Sequence, residues 1–305
     1  MALRPFLKWV GGKRQLLPVL RRFYPERPGR YYEPFVGSGA VFFDLLNHDR
    51  LNGHGATLSD QNADLIGCYR RIADSLELVI AELDRHAIEH AARGRAYYME
   101  VRDHHFNPLR AAWRERGAQL DDYTADLAAM LIYLNRTGYN GLFRLNASGE
   151  FNVPPGRYER PKISDPALLA RVSTALATPT VRLEHAGFDH LLAGARAGDF
   201  VYFDPPYAPL SATANFRGYT GRGFSNADQE QLQQAVVNLA RRGVHVLLSN
   251  SVAPSVSALY EANKDVSDAG LRAWRFPARR AVNSRPDRRG TVEELVVSNI
   301  PPRGA

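Results

Sequence analysis

The chain has 305 residues, 45% hydrophobic and 23% charged, with Gly 24 and Pro 19. This is ordinary globular usage, and the length suits one α/β core carrying an insertion. A small stapled scaffold and a mainly disordered chain are excluded, and Lys+Arg 39 against Asp+Glu 32 leaves a net +7, a mild positive field that suits a polyanionic partner without identifying one. The single cysteine, Cys68, rules out an intramolecular disulfide and a multi-cysteine zinc site and fits a reducing compartment. The stretch from Met1 to Lys8 reaches charged residues before an apolar segment forms, and no run of about 18 apolar residues occurs. A cytoplasmic protein with no membrane association is expected.

In chain order, the first candidate segment is Phe6-Leu-Lys8-Trp9-Val-Gly11-Gly12-Lys13. Its paired glycines between lysines and an indole suit a turn packed on an adenine-sized ligand, with a lysine meeting a carboxylate. An N-terminal arm anchored by a buried Trp is the structural alternative. From Tyr31 to Asp60 the pattern is strand, glycine turn, helix (Ala40 to Leu46), strand (Ala56 to Asp60), which reads as a βαβ unit. Phe35-Val-Gly37-Ser-Gly39 closes the first strand, where glycines let the backbone approach a nucleoside closely. Phe42 stands where the dinucleotide fingerprint needs a third glycine, which disfavours a hydride-transfer dehydrogenase. Asp60 ends the next strand and has two readings: an acceptor for both ribose hydroxyls, or an N-cap for the helix before Leu65.

Residues 67–165 differ in texture: helical periodicity at Leu76, Val79, Ile80 and Leu83, an Arg-rich aromatic stretch from Arg93 to Trp113, then the Asn- and Gly-rich Asn135 to Tyr158. An inserted domain is expected here, splitting the core into 1–66 and 166–305. Beyond it, Phe200 to Phe203 and Val244 to Ser249 read as buried strands, and Ser225 to Arg242 as an amphipathic helix opened by a Ser225/Asp228 capping box. Val292 to Val297 reads as the last strand. The expected fold is a Rossmann-like α/β domain with a mixed, mainly parallel sheet and a mainly helical insertion. Arg272 to Arg289 holds seven arginines and one acid, Asp287, and reads either as a tracker of backbone phosphates or as a charged surface loop.

The sharpest signal is Asp204-Pro205-Pro206-Tyr207, directly after the strand Phe200 to Phe203. Paired prolines hold an extended backbone, remove N–H donors, and set an acid and an aromatic ring at a fixed spacing. In an open α/β sheet the carboxyl end of a strand is where ligands bind. The alternative is a rigid loop with a capping Asp and a surface Tyr.

Taken together, Lys8-Trp9-x-Gly-Gly-Lys13, Phe35-x-Gly-x-Gly39, Asp60 and Asp204-Pro-Pro-Tyr207 occur in the order found in D12-class DNA adenine-N6 methyltransferases, which the chain resembles. The resemblance narrows to Dam-type enzymes through Tyr133 to Arg144, Gly149 to Pro154 and Tyr202 to Phe216, and it covers nearly the whole chain. It implies an S-adenosyl-methionine-dependent methyltransferase acting on double-stranded DNA. Trp9, Lys13, Asp60 and Asp204 match cofactor-binding positions, and Phe35, Gly37 and Gly39 match the cofactor loop. Asp204 and Tyr207 match the catalytic pair. Lys8, Tyr139, Asn140, Leu142, Arg144 and Pro154 resemble residues that read and invade a GATC duplex, with Arg144 facing guanine. Arg157 and Arg102 resemble phosphate contacts.

Elementary chemistry fits those roles. The lone pair of adenine N6 is delocalised into the ring, so two acceptors, the Asp204 carboxylate and the Pro205 carbonyl, can hold both N–H bonds and steer the lone pair toward a methyl donor. The stacked base must be flipped out, with the Tyr207 π-face to hold it and Tyr139 a candidate to fill the gap. Cytosine-C5 methylation needs a cysteine nucleophile, and Cys68 lies in an apparent helix with no neighbouring proline. Cytosine-N4 enzymes usually begin the tetrapeptide with Ser, and the duplex-reading resemblance of Asn135 to Tyr158 argues against RNA or protein-amide substrates. A protein that only occupies sites would not need all four cofactor and catalytic positions intact. A metal-dependent nuclease explains Asp60 and Asp204 less well than ribose and amine bonds do. A monomer with no metal requirement is therefore expected.

Overall fold

The computed structural model describes residues 2–9, 11–51, 53–189, 193–207, 224–279 and 291–304. Strand β1 (Tyr31–Glu33) lies parallel between β2 (Ala56–Asp60) and β4 (Phe200–Phe203), with Tyr31 opposite both Ala56 and Phe200. Outside these lie β3 (Val181–His185), parallel to β2, and β5 (His245–Ser251), parallel to β4. Beyond β5, β7 (Thr291–Ser298) runs antiparallel and pairs in turn with β6 (Arg272–Arg279). The sheet of the described residues has the order β3-β2-β1-β4-β5-β7-β6. The chain winds one way from β1 and the other way from β4, so the switch point between these two strands opens at their carboxyl ends, where open α/β sheets bind ligands.

Side chains alternate across the sheet. Tyr31, Phe200, Tyr202, Leu247 and Val296 join one apolar cluster, whereas Tyr32, Val201, Phe203, Leu248 and Val297 join another on the opposite face. Cover on both faces explains why β4 and the first part of β5 read as short apolar runs. The expected βαβ unit is present, with α2 (Ala40–Asn47) between β1 and β2. The expected C-terminal helix spans Asn226–Arg241 and carries the full capping box: Ser225 Oγ accepts from Asp228 N at 3.2 Å, and Asp228 Oδ2 accepts from Ser225 N at 2.7 Å.

Two strands escaped the sequence reading. β3 is an edge strand of half-exposed residues, Val-Arg-Leu-Glu-His, which lacks the apolar run of a central strand. β6 lies within the arginine run expected to form a phosphate tracker or loop. Trp274 and Phe276 instead pack on Phe23 at ring separations of 4.9 and 6.1 Å, while Arg275 pairs with Glu261 at 2.7 Å and Glu293 at 3.5 Å. The first half of that run is thus part of the fold, and 280–290 lie outside the described residues.

Between β2 and β3 the regular elements are helical. α3 (Ala63–Asp74), α4 (Leu76–Arg93) and α7 (Ala125–Thr137) pack together, α7 being buried almost all round. The boundary expected at residue 67 falls inside α3, and these helices share the apolar cluster of the sheet. A buried ion pair, Arg110 Nε to Asp64 at 2.8 Å, ties α6 (Asn107–Glu115) to α3. No helix among the described residues is long and apolar enough to cross a membrane.

Candidate functional site

The turn after β1 is held in a shape that requires glycine. Gly37 and Gly39 have φ of +46° and +67°, where other residues are strained. Gly37 N donates to Asp60 Oδ2 at 3.1 Å and its carbonyl accepts from Tyr69 OH at 3.1 Å. A Cβ on Gly37 would stand 2.9 Å from Trp9 Cδ1, and one on Gly39 would stand 3.0 Å from the Tyr69 hydroxyl. The indole of Trp9 therefore lies against the glycine turn, with Phe143 stacked 6.0 Å away.

Of the two readings of Asp60, the helix cap is excluded. Its Oδ1 accepts from Asn62 N at 2.9 Å, but the cap of α3 is Asn62, whose side chain accepts from Asp64 N and Leu65 N at 3.1 and 3.3 Å. Burial raises the Asp60 carboxyl to about 6, with the amides of Asn62 and Gly37 pulling it back. Beside it, the ends of β2 and β3 converge: a Cβ on Gly187 would meet Asp189 Oδ1 at 2.8 Å and Gln61 Nε2 at 3.2 Å. Phe35 packs against Phe188 and Phe224 at 5.7 and 5.8 Å. Phe188 and Phe224 form this apolar wall without belonging to any motif.

Across the switch point, Lys13, buried at the end of the N-terminal turn, places its ammonium 2.8 Å from Asp204 Oδ1 and 2.9 Å from the Gly11 carbonyl. The same ammonium lies 4.5 Å from the centre of the Tyr207 ring, a cation–π distance. Ser249 Oγ, on β5, donates to Asp204 Oδ1 at 3.3 Å and bonds the Tyr202 hydroxyl at 2.8 Å. Burial raises Asp204 to about 6 against the pull of Lys13. Glu33, at the end of β1, is buried with Tyr31 OH donating to it at 2.9 Å, and desolvation pushes it well above the usual carboxylate range. Two further contacts brace the tetrapeptide. Tyr207 OH donates to Glu294 on β7. The Pro206 carbonyl accepts from Gln229 Nε2 at 3.2 Å, and Gln229 Oε1 accepts from Asn250 Nδ2 at 3.0 Å.

A third group sits on the ribbon after α7, where Gly138 bridges Pro155 and Leu145 bridges Phe151. Asn135 organises it: Oδ1 accepts from Lys8 N at 2.8 Å, and Nδ2 donates to the carbonyls of Lys8 at 2.7 Å and Gly141 at 2.9 Å. The N-terminal arm is thereby fixed to the ribbon. Lys8 Nζ lies 3.9 Å from the Tyr158 ring. Tyr139 N donates to the Pro154 carbonyl at 2.9 Å, so Tyr139, Asn140, Pro154 and the nearby Arg157 form one exposed strip, with Leu142 half-buried behind it. Arg144 is exposed, one edge of its guanidinium held by Asn152 through Nε to Oδ1 at 2.7 Å and Nη2 to the carbonyl at 3.2 Å. Arg102 bonds Asp103 at 2.7 Å and the Val153 carbonyl at 3.0 Å, inside the ribbon's base. Apart from Leu78 and Ile88 on α4, the exposed large apolar side chains among the described residues are Tyr139, Tyr158 and Tyr207. Ser249, Gln229 and Glu294 reach these sites from elements the motifs do not flag, whereas Asn135 and Tyr158 bound the Asn- and Gly-rich stretch without being singled out in it. Cys68 is fully buried, its thiol pushed up by desolvation.

The family described as D12 class N6 adenine-specific DNA methyltransferase matches residues 9–272. The type II methyltransferase M1.LlaDCHI of Lactococcus lactis subsp. cremoris is 38% identical over 97% of this chain and 95% of its own. The type II methyltransferase M.MjaIII of Methanocaldococcus jannaschii is 36% identical over 98% of this chain and 100% of its own. The DNA adenine methylase of Vibrio cholerae is 34% identical over 98% and 96%. S-adenosyl-methionine is the methyl donor that this family uses, and the residues fit it: a left-handed glycine turn packed against Trp9, an acid at the end of β2, an apolar wall at Phe35 and Phe188, and a buried lysine. Matched over nearly its whole length, the chain belongs to the D12 class of N6 adenine-specific DNA methyltransferases.

Proposed function

We propose that this enzyme methylates N6 of an adenine flipped out of duplex DNA, within GATC, as a monomer and without a metal. The observation that carries the reading is Asp204: a carboxylate raised to about 6, anchored through Oδ1 by Lys13 and Ser249, beside a Tyr207 ring that is 37% exposed. When bound, S-adenosyl-methionine supplies an activated methyl group on a sulfonium. Trp9, Phe35, Gly37, Gly39 and Asp60 hold it, and Lys13 offers its carboxylate a cation. Asp204 and the Pro205 carbonyl accept the two N6 hydrogens, localising on nitrogen the lone pair that is otherwise delocalised into the ring, and most of the acceleration is positioning and electrostatics. The Asp204 carboxylate is then placed to hold the proton that N6 sheds. Tyr207 stacks on the extruded base.

The helical insertion, 67–165, serves as the target-recognition domain. Its ribbon reads sequence, Arg144 offering a donor fork to guanine O6 and N7 and Tyr139 a ring to fill the gap. Lys8, Asn140, Leu142 and Pro154 complete the reading surface, with Arg157 on phosphate and Arg102 bracing the ribbon's base and the nearest phosphate. Asp60 accepts from the amides of Gly37 and Asn62, and Asp204 from Lys13, partners that suit the ribose and amine roles assigned to them. Mapping N6-methyladenine across a plasmid treated with the enzyme tests the reading. Modification confined to GATC supports it, and modification spread over other adenine contexts contradicts the assigned specificity.

A further inference from the structure

One cavity lies away from the methyl-transfer site. A cleft of about 480 Å³ is lined by Arg30, Tyr32, Thr57, Arg182, Arg196 and Asp199, among others. Its residues cluster at the starts of the strands: Arg30 precedes β1, Thr57 and Arg182 are second in β2 and β3, and Asp199 precedes β4. Asp60 is the last residue of β2, and Phe35 and Asp204 lie past the other ends of β1 and β4. Three residues of β1, at about 3.3 Å each, separate the two edges by about 10 Å, so the cleft is a separate site on the opposite edge of the sheet.

Its chemistry is that of an anion site. The Arg30 guanidinium is prefixed, Nε on Thr57 Oγ1 and Nη2 on the Thr180 carbonyl, each at 3.1 Å. Arg182 and Arg196 are exposed, and neither side chain forms an ion pair or hydrogen bond among the described residues. Asp199 does not neutralise them by direct pairing, because its two oxygens accept from the amides of Arg30 and Arg196 at 2.8 Å each. Glu184 is the other acid on the lining. Arg30, Arg182 and Arg196 all line this one cleft. The volume falls within the range of small-ligand sites, about 300–1,000 Å³, and exceeds what a lone phosphate needs.

We propose that this cleft binds a nucleotide through its phosphate, taken either from a second stretch of nucleic-acid backbone or from a free nucleotide. Arg30, Arg182 and Arg196 supply the charge and fork donors that match phosphate oxygens, and Glu184 limits the affinity.

The test is calorimetric titration of thymidine 3′,5′-bisphosphate into the full-length enzyme saturated with S-adenosyl-homocysteine, so that the cofactor site is filled. Wild type is expected to bind one equivalent, R182Q/R196Q to bind at least about tenfold more weakly, and E184Q to bind more tightly. The single variants R182Q and R196Q stand in should the double variant not fold. Displacement of the bisphosphate by a duplex lacking GATC assigns the site to nucleic-acid backbone, and its absence assigns it to a free nucleotide. Methyl transfer to a short GATC duplex stays at the wild-type rate in all variants. No binding to wild type at millimolar ligand, or equal binding by R182Q/R196Q, overturns the proposal.

Discussion

The ammonium of Lys13 is shared between Asp204 Oδ1, 2.8 Å away, and the face of Tyr207, 4.5 Å from the ring centre. One side chain from the N-terminal turn thus touches both ends of the Asp204 to Tyr207 tetrapeptide, which in the proposed mechanism couples the cofactor-binding arm to the residues that meet the base.

Asp204 sets the pH response. Burial lifts it to about 6, and the carboxylate rather than the acid accepts amine hydrogens. Turnover should therefore fall about tenfold per pH unit below about 6, whereas D204N should lose at least about 100-fold at neutral pH, where the wild-type carboxylate is ionised. Stability runs the other way. The folded protein keeps this proton up to about 6, whereas an unfolded Asp releases it near ~3.9, so the contribution of Asp204 to stability is greatest below the unfolded value and shrinks as pH rises through that window. Thermal melts of wild type and D204N from pH 4 to 7 check the sign: the wild-type advantage should decline with rising pH. A flat rate profile between pH 5 and 7 would remove Asp204 from the rate-limiting chemistry.

Gln229 is a positioning residue. It links the buried Asn250 amide to the Pro206 carbonyl, and Q229L keeps its approximate volume while stranding both partners, at about 1–3 kcal/mol. We expect kcat to fall while cofactor affinity stays within about threefold. Q229E, which keeps an acceptor for Asn250, should recover part of the stability but not the bond to Pro206. Equal loss of kcat and cofactor binding in Q229L would mark it as a general folding residue.

Arg144 has one guanidinium edge held by Asn152, leaving the opposite edge for a base. R144A should relax discrimination between GATC and its one-base variants by about 1–3 kcal/mol, read as a ratio of kcat/KM values, with a smaller loss in overall duplex affinity. A uniform loss on all sequences would make it a phosphate contact.

Gly37 is required by geometry. G37A would bring a Cβ to 2.9 Å from Trp9 at a φ of +46°, so the turn must move or the indole must leave. Cofactor binding, followed by quenching of tryptophan fluorescence, should weaken by at least about tenfold, about 1–2 kcal/mol arising from the backbone alone. Unchanged affinity would place the cofactor elsewhere.

Much of this architecture is legible in the sequence because central parallel strands are apolar on both faces and stand out as Phe200–Phe203 and the first part of His245–Ser251 do. The Ser225 capping box and the glycine turn are local and carry their own signals. β3 alternates charge with half-buried residues at a sheet edge, and β6 hides Trp274 and Phe276 among arginines, so pattern alone does not separate either from a loop. Ser249, Gln229, Glu294 and Asn135 acquire their roles only through contacts between residues 6 to 127 positions apart in the chain. The capping reading of Asp60 is excluded by Asn62, a neighbour whose capping geometry is visible only in three dimensions.

The most direct measurement is transfer of labelled methyl from S-adenosyl-methionine to matched duplexes containing GATC, a one-base variant of it, or no adenine, followed by digestion to nucleosides. The account predicts label only in N6-methyladenine and only from the GATC duplex. Equal label in the variant duplex would contradict the assignment of the Asn135 to Tyr158 segment as the reader, and label in any product other than N6-methyladenine would contradict the chemistry assigned to Asp204 and Tyr207.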